Sequence, residues 1–207
     1  MITPKDFKDR WNTEMDPLFS FKEDMIDFLN FSPQTKKFLT EAGLPESAPP
    51  YLNFVSSEKG GGVRMTNSDL FEGIDMKYNI YIYIGFLGDG DVICINETND
   101  NIVYIEHEDD DHGVVFINSS IAHFLEFLLL FVSFIKDIKA VNGSNAFLKS
   151  HAPANILIPL IDRFINIDKT AIFCGNFWYR ELCCFWDELM VSENNGSLPK
   201  HIVDMFS

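Results

Sequence analysis

The chain has 207 residues, 46% of them hydrophobic and 14% aromatic, which suffices for the core of one domain over residues 1–207 and excludes a disordered chain. Its 16 basic and 31 acidic side chains give a formal charge of −15. A surface of that sign repels nucleic-acid phosphates and anionic membranes and attracts a basic partner, although solubility alone also selects for it.

Thr3 caps a first helix that has Pro4 in its opening turn, and Phe7 and Trp11, four apart, share its inner face. The same stretch, MITPKDFKDRW, lacks the apolar core of a secretory signal, so the expected location is the cytoplasm. Phe21, Met25, Phe28 and Leu29 recur at helical intervals and predict a second helix within residues 19–29. Ser32 and Pro33 open a third, with Phe38, Leu39 and Ala42 on its apolar stripe, and Gly43 and Pro45 end it. Residues 46–50 read as a linker and 51–55 as a strand. The run Gly60, Gly61, Gly62 reads as a turn, because Val63 and Arg64 stand where a phosphate loop needs a lysine and a hydroxyl. Residues 63–71 add a further edge strand and a turn.

The stretch 78–135 organises the rest. Four apolar runs are separated by connectors too short for a parallel crossover, so they form an antiparallel meander. In the first run Ile80, Ile82 and Ile84 face one way and Tyr81 and Tyr83 the other, which makes it an interior strand. Gly88, Asp89 and Gly90 turn the chain, residues 92–96 return, 99–101 turn again, and 102–107 make the third pass. After a turn at 109–113, residues 114–118 form the fourth strand, and Asn118, Ser119 or Ser120 caps a long helix. That helix carries Ile121, Phe124, Leu125, Leu128, Val132 and Ile135, with Phe127, Leu130, Phe131 and Phe134 beside them, and is expected to be covered on two sides, by the sheet and by the carboxy-terminal part. It is too short and too polar, with His123 and Glu126, for a membrane span.

Ile156, Leu160, Ile161 and Phe164 predict another helix, started or kinked by Pro159, with Asp168 as the cap of the next element. Trp178, Leu182, Phe185 and Leu189 predict the last, closed by residues 194–197. The fold class is α+β: a single domain with a central, mainly antiparallel sheet flanked by N- and C-terminal helices.

Chemistry is hard to find. Glu106, His107, Glu108, Asp109, Asp110, Asp111 and His112 supply ligand types, but along a strand Glu106 and Glu108 face away from His107, and the loop lacks the glycine and terminal glutamate of a calcium-binding hand. A metal-dependent hydrolase built on this cluster stands as an alternative. No GxSxG elbow occurs, and Ser119 or Ser120 near His123 is accounted for by capping. Cys94, Cys174, Cys183 and Cys184 have no zinc-finger or CxxC spacing and read as reduced thiols. Tyr81, Tyr83 and Tyr104 lack the neighbouring cations of a base-stacking platform. No cofactor is expected.

The segments IGFLGDGDVICINE, NIVYIEHED and VVFINSSIAHFLEFLLLF, with TKKFLTEAGLP upstream, resemble the SUKH superfamily, in particular its fourth subgroup of bacterial immunity proteins. The resemblance covers most of residues 34–132, with Trp178 matching a tryptophan near the family's end. It implies an α+β sheet flanked by helices, no common active site, and neutralisation of a polymorphic toxin, often a nuclease, by binding it. The departure is the long acidic turn at 108–111. The expected role is thus a cytoplasmic, non-enzymatic antitoxin for a basic protein toxin, with neither nucleic acid nor membrane as partner. Asp89, Asp91, Glu106, Glu108, Asp109, Asp110 and Asp111 are the expected partner-binding carboxylates, standing in for phosphates. A scaffold or regulatory module is the third reading, and the oligomeric state is left open.

Overall fold

In the computed structural model, residues 1–11, 16–71, 74–108, 112–192 and 198–206 are described. The chain divides into two units, Met1–Glu126 and Phe127–Ser207.

The first unit opens with α1 (Pro4–Arg10). The Asp6 amide donates to the Thr3 hydroxyl and the Thr3 amide to the Asp6 carboxylate, each at 3.1 Å, so two of the helix's orphan donors are satisfied reciprocally. The Thr3 hydroxyl, 2.6 Å from the Asp6 carboxylate, and then the Thr3 amide hold the Asp6 carboxyl below its usual range. Phe7 is fully buried with its ring 5.4 Å from Trp11, as their spacing requires.

The second helix is shorter than its apolar pattern suggests. Leu18–Phe19 forms β1, which pairs with β2 (Leu44–Pro45), and helix remains only at α2 (Glu23–Ile26). Phe28 consequently points into solvent at 82% exposure. The third helix is as read: Ser32 caps α3 (Pro33–Lys37), a π-turn continues it through Ala42, and Gly43 ends it at φ 77°. A side chain on Gly43 would meet the Phe19 carbonyl oxygen at 2.1 Å, so the ribbon itself demands glycine there.

Six strands follow one another across one antiparallel sheet: β3 (Ser47–Ala48), β4 (Leu52–Phe54), β5 (Tyr81–Leu87), β6 (Val92–Asn96), β7 (Ile102–Ile105) and β8 (Val114–Asn118). Residues 46–50 are therefore no linker, since Ser47 and Ala48 pair with Asn53 and Leu52 at the sheet's edge. Nor do residues 63–71 form a strand. They contribute a single bridge, Arg64 to Ile82, and a 3-10 turn at Met65–Asn67. The glycine run is a turn, in which Gly61 packs where a Cβ would stand 1.9 Å from the Val55 carbonyl oxygen.

The long β4–β5 connection covers one face of the sheet. Met65 and Tyr78, with half-buried Val63, Phe71 and Ile74, pack on Tyr83, Val92, Cys94, Val103 and Ile105. Desolvation there drives the Cys94 thiol well above its ordinary pKa. The alternate residues Ile82, Ile84, Ile93, Ile95 and Tyr104 are equally buried, so β5 has both faces covered, as an interior strand must. Phe54 meets Phe124, in the first turn of α4 (Ile121–Asn142), at 5.8 Å.

In the second unit Trp178 is the centre of an aromatic cluster. It lies 5.4 Å from Phe127 and Phe131 and 5.3 Å from Phe164, while Phe127 and Phe164 stack at 3.8 Å. Phe164 belongs to α5 (Ala154–Asp168), which runs through Pro159, and Trp178 to α6 (Phe177–Ser192). The Asp168 side chain makes no capping bond to the 3-10 turn after it, contrary to its expected role. A last short helix, α7 (Lys200–Val203), was not foreseen; beyond it Phe206 stacks on Tyr179 and Trp186 at 5.1 and 5.2 Å. Residues 194–197 lie outside the described residues.

Candidate functional site

The antiparallel register determines which turns share an end of the sheet. Ala48 pairs with Leu52, Leu52 with Leu87, Val92 with Ile105, and Ile105 with Val114. The turns 49–51, 88–91 and 106–113 therefore leave the sheet from the same end, which carries Asp89, Asp91, Glu106 and Glu108 of the expected carboxylates.

In the 88–91 turn the Leu87 amide donates to the Asp91 carbonyl at 2.8 Å and the Gly90 amide to the Leu87 carbonyl at 3.0 Å. Gly90 stands at φ 108°, which only glycine holds without strain. Asp89 is exposed and its carboxylate accepts the Asp91 amide at 3.3 Å. Asp91 behaves differently. Its side chain is only 14% exposed, and one oxygen accepts both the His107 amide at 3.0 Å and the His107 Nδ1–H at 2.8 Å. That bond, against some desolvation, raises the His107 pKa above its ordinary value. Asp91 thus ties the 88–91 turn to the 106–113 turn.

On the second turn the Glu106 amide donates to the Gly113 carbonyl at 2.9 Å, and Gly113 leaves room for the Glu106 carboxylate, which would lie 2.2 Å from a Cβ there. Glu108 is 88% exposed, with a carboxylate oxygen 3.9 Å from His107 Nε2. Asp109, Asp110 and Asp111 lie outside the described residues. His112 has φ 42°, its Nδ1 lies 3.0 Å from the Glu106 carbonyl oxygen, and its ring packs 4.6 Å from Phe71. The Tyr78 hydroxyl donates to the His112 carbonyl at 2.6 Å. His107 and His112 are therefore directed to separate partners, Asp91 on the neighbouring turn and the Glu106 carbonyl. Among the described residues no group of three or more His, Cys, Asp or Glu side chains is placed to hold a metal ion.

Sequence reasoning missed Tyr51. It sits in the 49–51 turn at φ 59° and is 60% exposed, with its Cβ held against Gly88, where a side chain on that glycine would approach within 3.2 Å. A bulky residue in the left-handed region is a strained position of the kind found at binding sites. An aromatic directly after Pro49 and Pro50 was the signal available.

The remaining histidines also have partners. His123 Nδ1 lies 2.8 Å from the Ser119 hydroxyl while Ser120 caps the His123 amide, and His151 and His201 pair with Glu188 and Asp162 at 3.1 and 2.9 Å. A shallow cleft of about 330 Å³ is lined by Phe19, Phe54, Lys22, Lys59, Glu46 and Glu58 among others, and the Lys22–Glu58 ion pair of 3.4 Å lies on its rim. No helix of the described residues is long and apolar enough to cross a membrane.

The fold is α+β, and the sheet end that carries these turns presents charged side chains with Tyr51 exposed beside them. The model of the SUKH-4 immunity protein family matches residues 13–182, so the chain belongs to that family. No curated protein and no solved structure matches it.

Proposed function

We propose that this protein is a cytoplasmic, non-enzymatic antitoxin that neutralises a basic protein toxin, a nuclease, by covering the surface with which the toxin holds phosphate. The family match runs across both units, which supports reading them as one domain. The observation that carries the proposal is the gathering of Asp89, Glu106 and Glu108 at the end of the sheet where Tyr51 is exposed. Asp109, Asp110 and Asp111 come directly after Glu108 in sequence and add three carboxylates to that stretch of chain. Asp91 acts behind that edge, holding His107 and the two turns in register.

Such an edge steers a basic partner and fixes its orientation, while an aromatic anchor supplies affinity on closure. The test is co-expression with the toxin encoded beside the gene. Cells survive with the native protein and a complex co-purifies; equal killing with and without it, and no complex, would sink the proposal. Tyr51→Ala is expected to weaken the complex by about tenfold or more, as removal of a central aromatic does.

A further inference from the structure

We infer that β8 is an open strand edge that accepts an extended, basic segment of the partner as a seventh strand of the sheet. The inference rests on the antitoxin reading and adds the mode of docking.

Three observations lead there. β8 is the last strand of the six-stranded sheet, paired only with β7 among the described residues. The bond from the Glu106 amide to the Gly113 carbonyl makes that pair hydrogen-bonded. The antiparallel alternation then turns the amide and carbonyl of Val114 and Phe116 outward, away from β7. Val114 is 42% exposed and Phe116, like Val115, is half-buried; Val114 and Phe116 lie on the face that Val63, Phe71 and Ile74 pad further inward. VVFIN contains no lysine and no proline, two of the residues that keep exposed edges from pairing, and the register shift of the β7–β8 pair falls beyond Phe116, at Ile117.

Charge decides the occupant. Residues 78–135 contain ten aspartates and glutamates and no lysine or arginine, and Glu106 and Glu108 lie in the turn that leads into the strand. A second copy would bring an equal charge of −15 to the same edge, whereas a basic segment meets complementary charge at the turn and open backbone groups along β8. In strand addition the main-chain bonds supply affinity and alternate side chains supply selectivity, here through Val114 and Phe116.

The experiment uses the full chain co-purified with the toxin encoded beside its gene. In the complex the amides of Val114 and Phe116 exchange with solvent at least about tenfold more slowly than in the free protein, as new hydrogen bonds require. Val114→Pro removes an outward donor without taking a bond from the β7–β8 ladder, and proline is tolerated at the first residue of a strand. It is expected to weaken the complex by about tenfold, while Val114→Thr, which keeps the amide, stays within about threefold. A complex whose Val114 and Phe116 amides exchange as in the free protein overturns strand addition but leaves toxin binding standing. Failure to form any complex removes both. Concentration-dependent protection of these amides in the protein alone assigns the edge to a second copy and overturns the basic partner.

Discussion

The sheet of the first unit has acidic turns at both ends, and they use their carboxylates in opposite ways. At the 96–101 end Glu97 is buried and forked onto Arg64, with bonds of 2.5 and 2.9 Å, while one oxygen also accepts the Asn30 amide at 2.8 Å. Asp100, at φ 61°, accepts the Ser32 amide at 3.2 Å and the Thr35 hydroxyl at 2.9 Å, so it fastens the start of α3 to the turn. At the 88–91 and 106–113 end, Asp89 and Glu108 are exposed, while Asp91 is committed within the turns, to His107. The same side-chain chemistry builds the fold at one end and presents charge at the other. What separates the two is whether partners from a distant segment of the chain hold the carboxylate, as Arg64, Asn30, Ser32 and Thr35 do for Glu97 and Asp100.

The contrast can be broken most sharply at Glu97. Glu97→Gln leaves the Arg64 guanidinium without its counter-charge and is expected to cost about 3 kcal/mol in denaturant unfolding. The pair Glu97→Leu with Arg64→Met recovers most of that loss, because two apolar side chains replace two charges together. Asp100→Ala removes two bonds at the start of α3 and should cost about 1 kcal/mol by the same measurement. Asp89→Asn with Glu108→Gln is expected to shift stability by no more than about 0.5 kcal/mol, yet to slow association with the toxin and flatten its salt dependence. A loss of stability comparable to that of Glu97→Gln would erase the distinction between the two ends.

The finest test is the titration of His107. Its pKa is raised by Asp91, so the folded state holds the proton more tightly than the unfolded chain. The stabilisation is therefore fully present below the unfolded pKa and is lost as pH rises through the folded one. The imidazole resonance of His107 should titrate above about 6.5, and Asp91→Asn should bring the midpoint down.

The meander was legible because its signals are local: two-residue alternation, short connectors, and glycine or asparagine at each turn. The helix over residues 19–29 was over-read for a converse reason. Leu18 and Phe19 are captured by Leu44 and Pro45, a pairing that no local period announces. The clamp at Glu97 and Asp100 was invisible for the same cause, since their partners lie 33, 67, 65 and 68 residues away. Of the site, the acidic turns were readable as turns, but their convergence on one end is a matter of register, and Asp91 could not be told from Asp89 without seeing His107 fold back on it. Tyr51 went unnoticed because a lone aromatic after two prolines carries no period.

The Arg64–Glu97 fork has a consequence for how such a protein changes over generations. It lies across the length of β6 from the 88–91 turn, roughly 15 Å at about 3.3 Å per residue, beyond the range at which substitutions commonly couple. Replacements at positions 89 and 108 therefore draw nothing from the clamp. Under the proposed reading, a partner that alters its basic surface is followed by rewriting one rim of the sheet, while the opposite rim keeps the molecule folded throughout the pursuit.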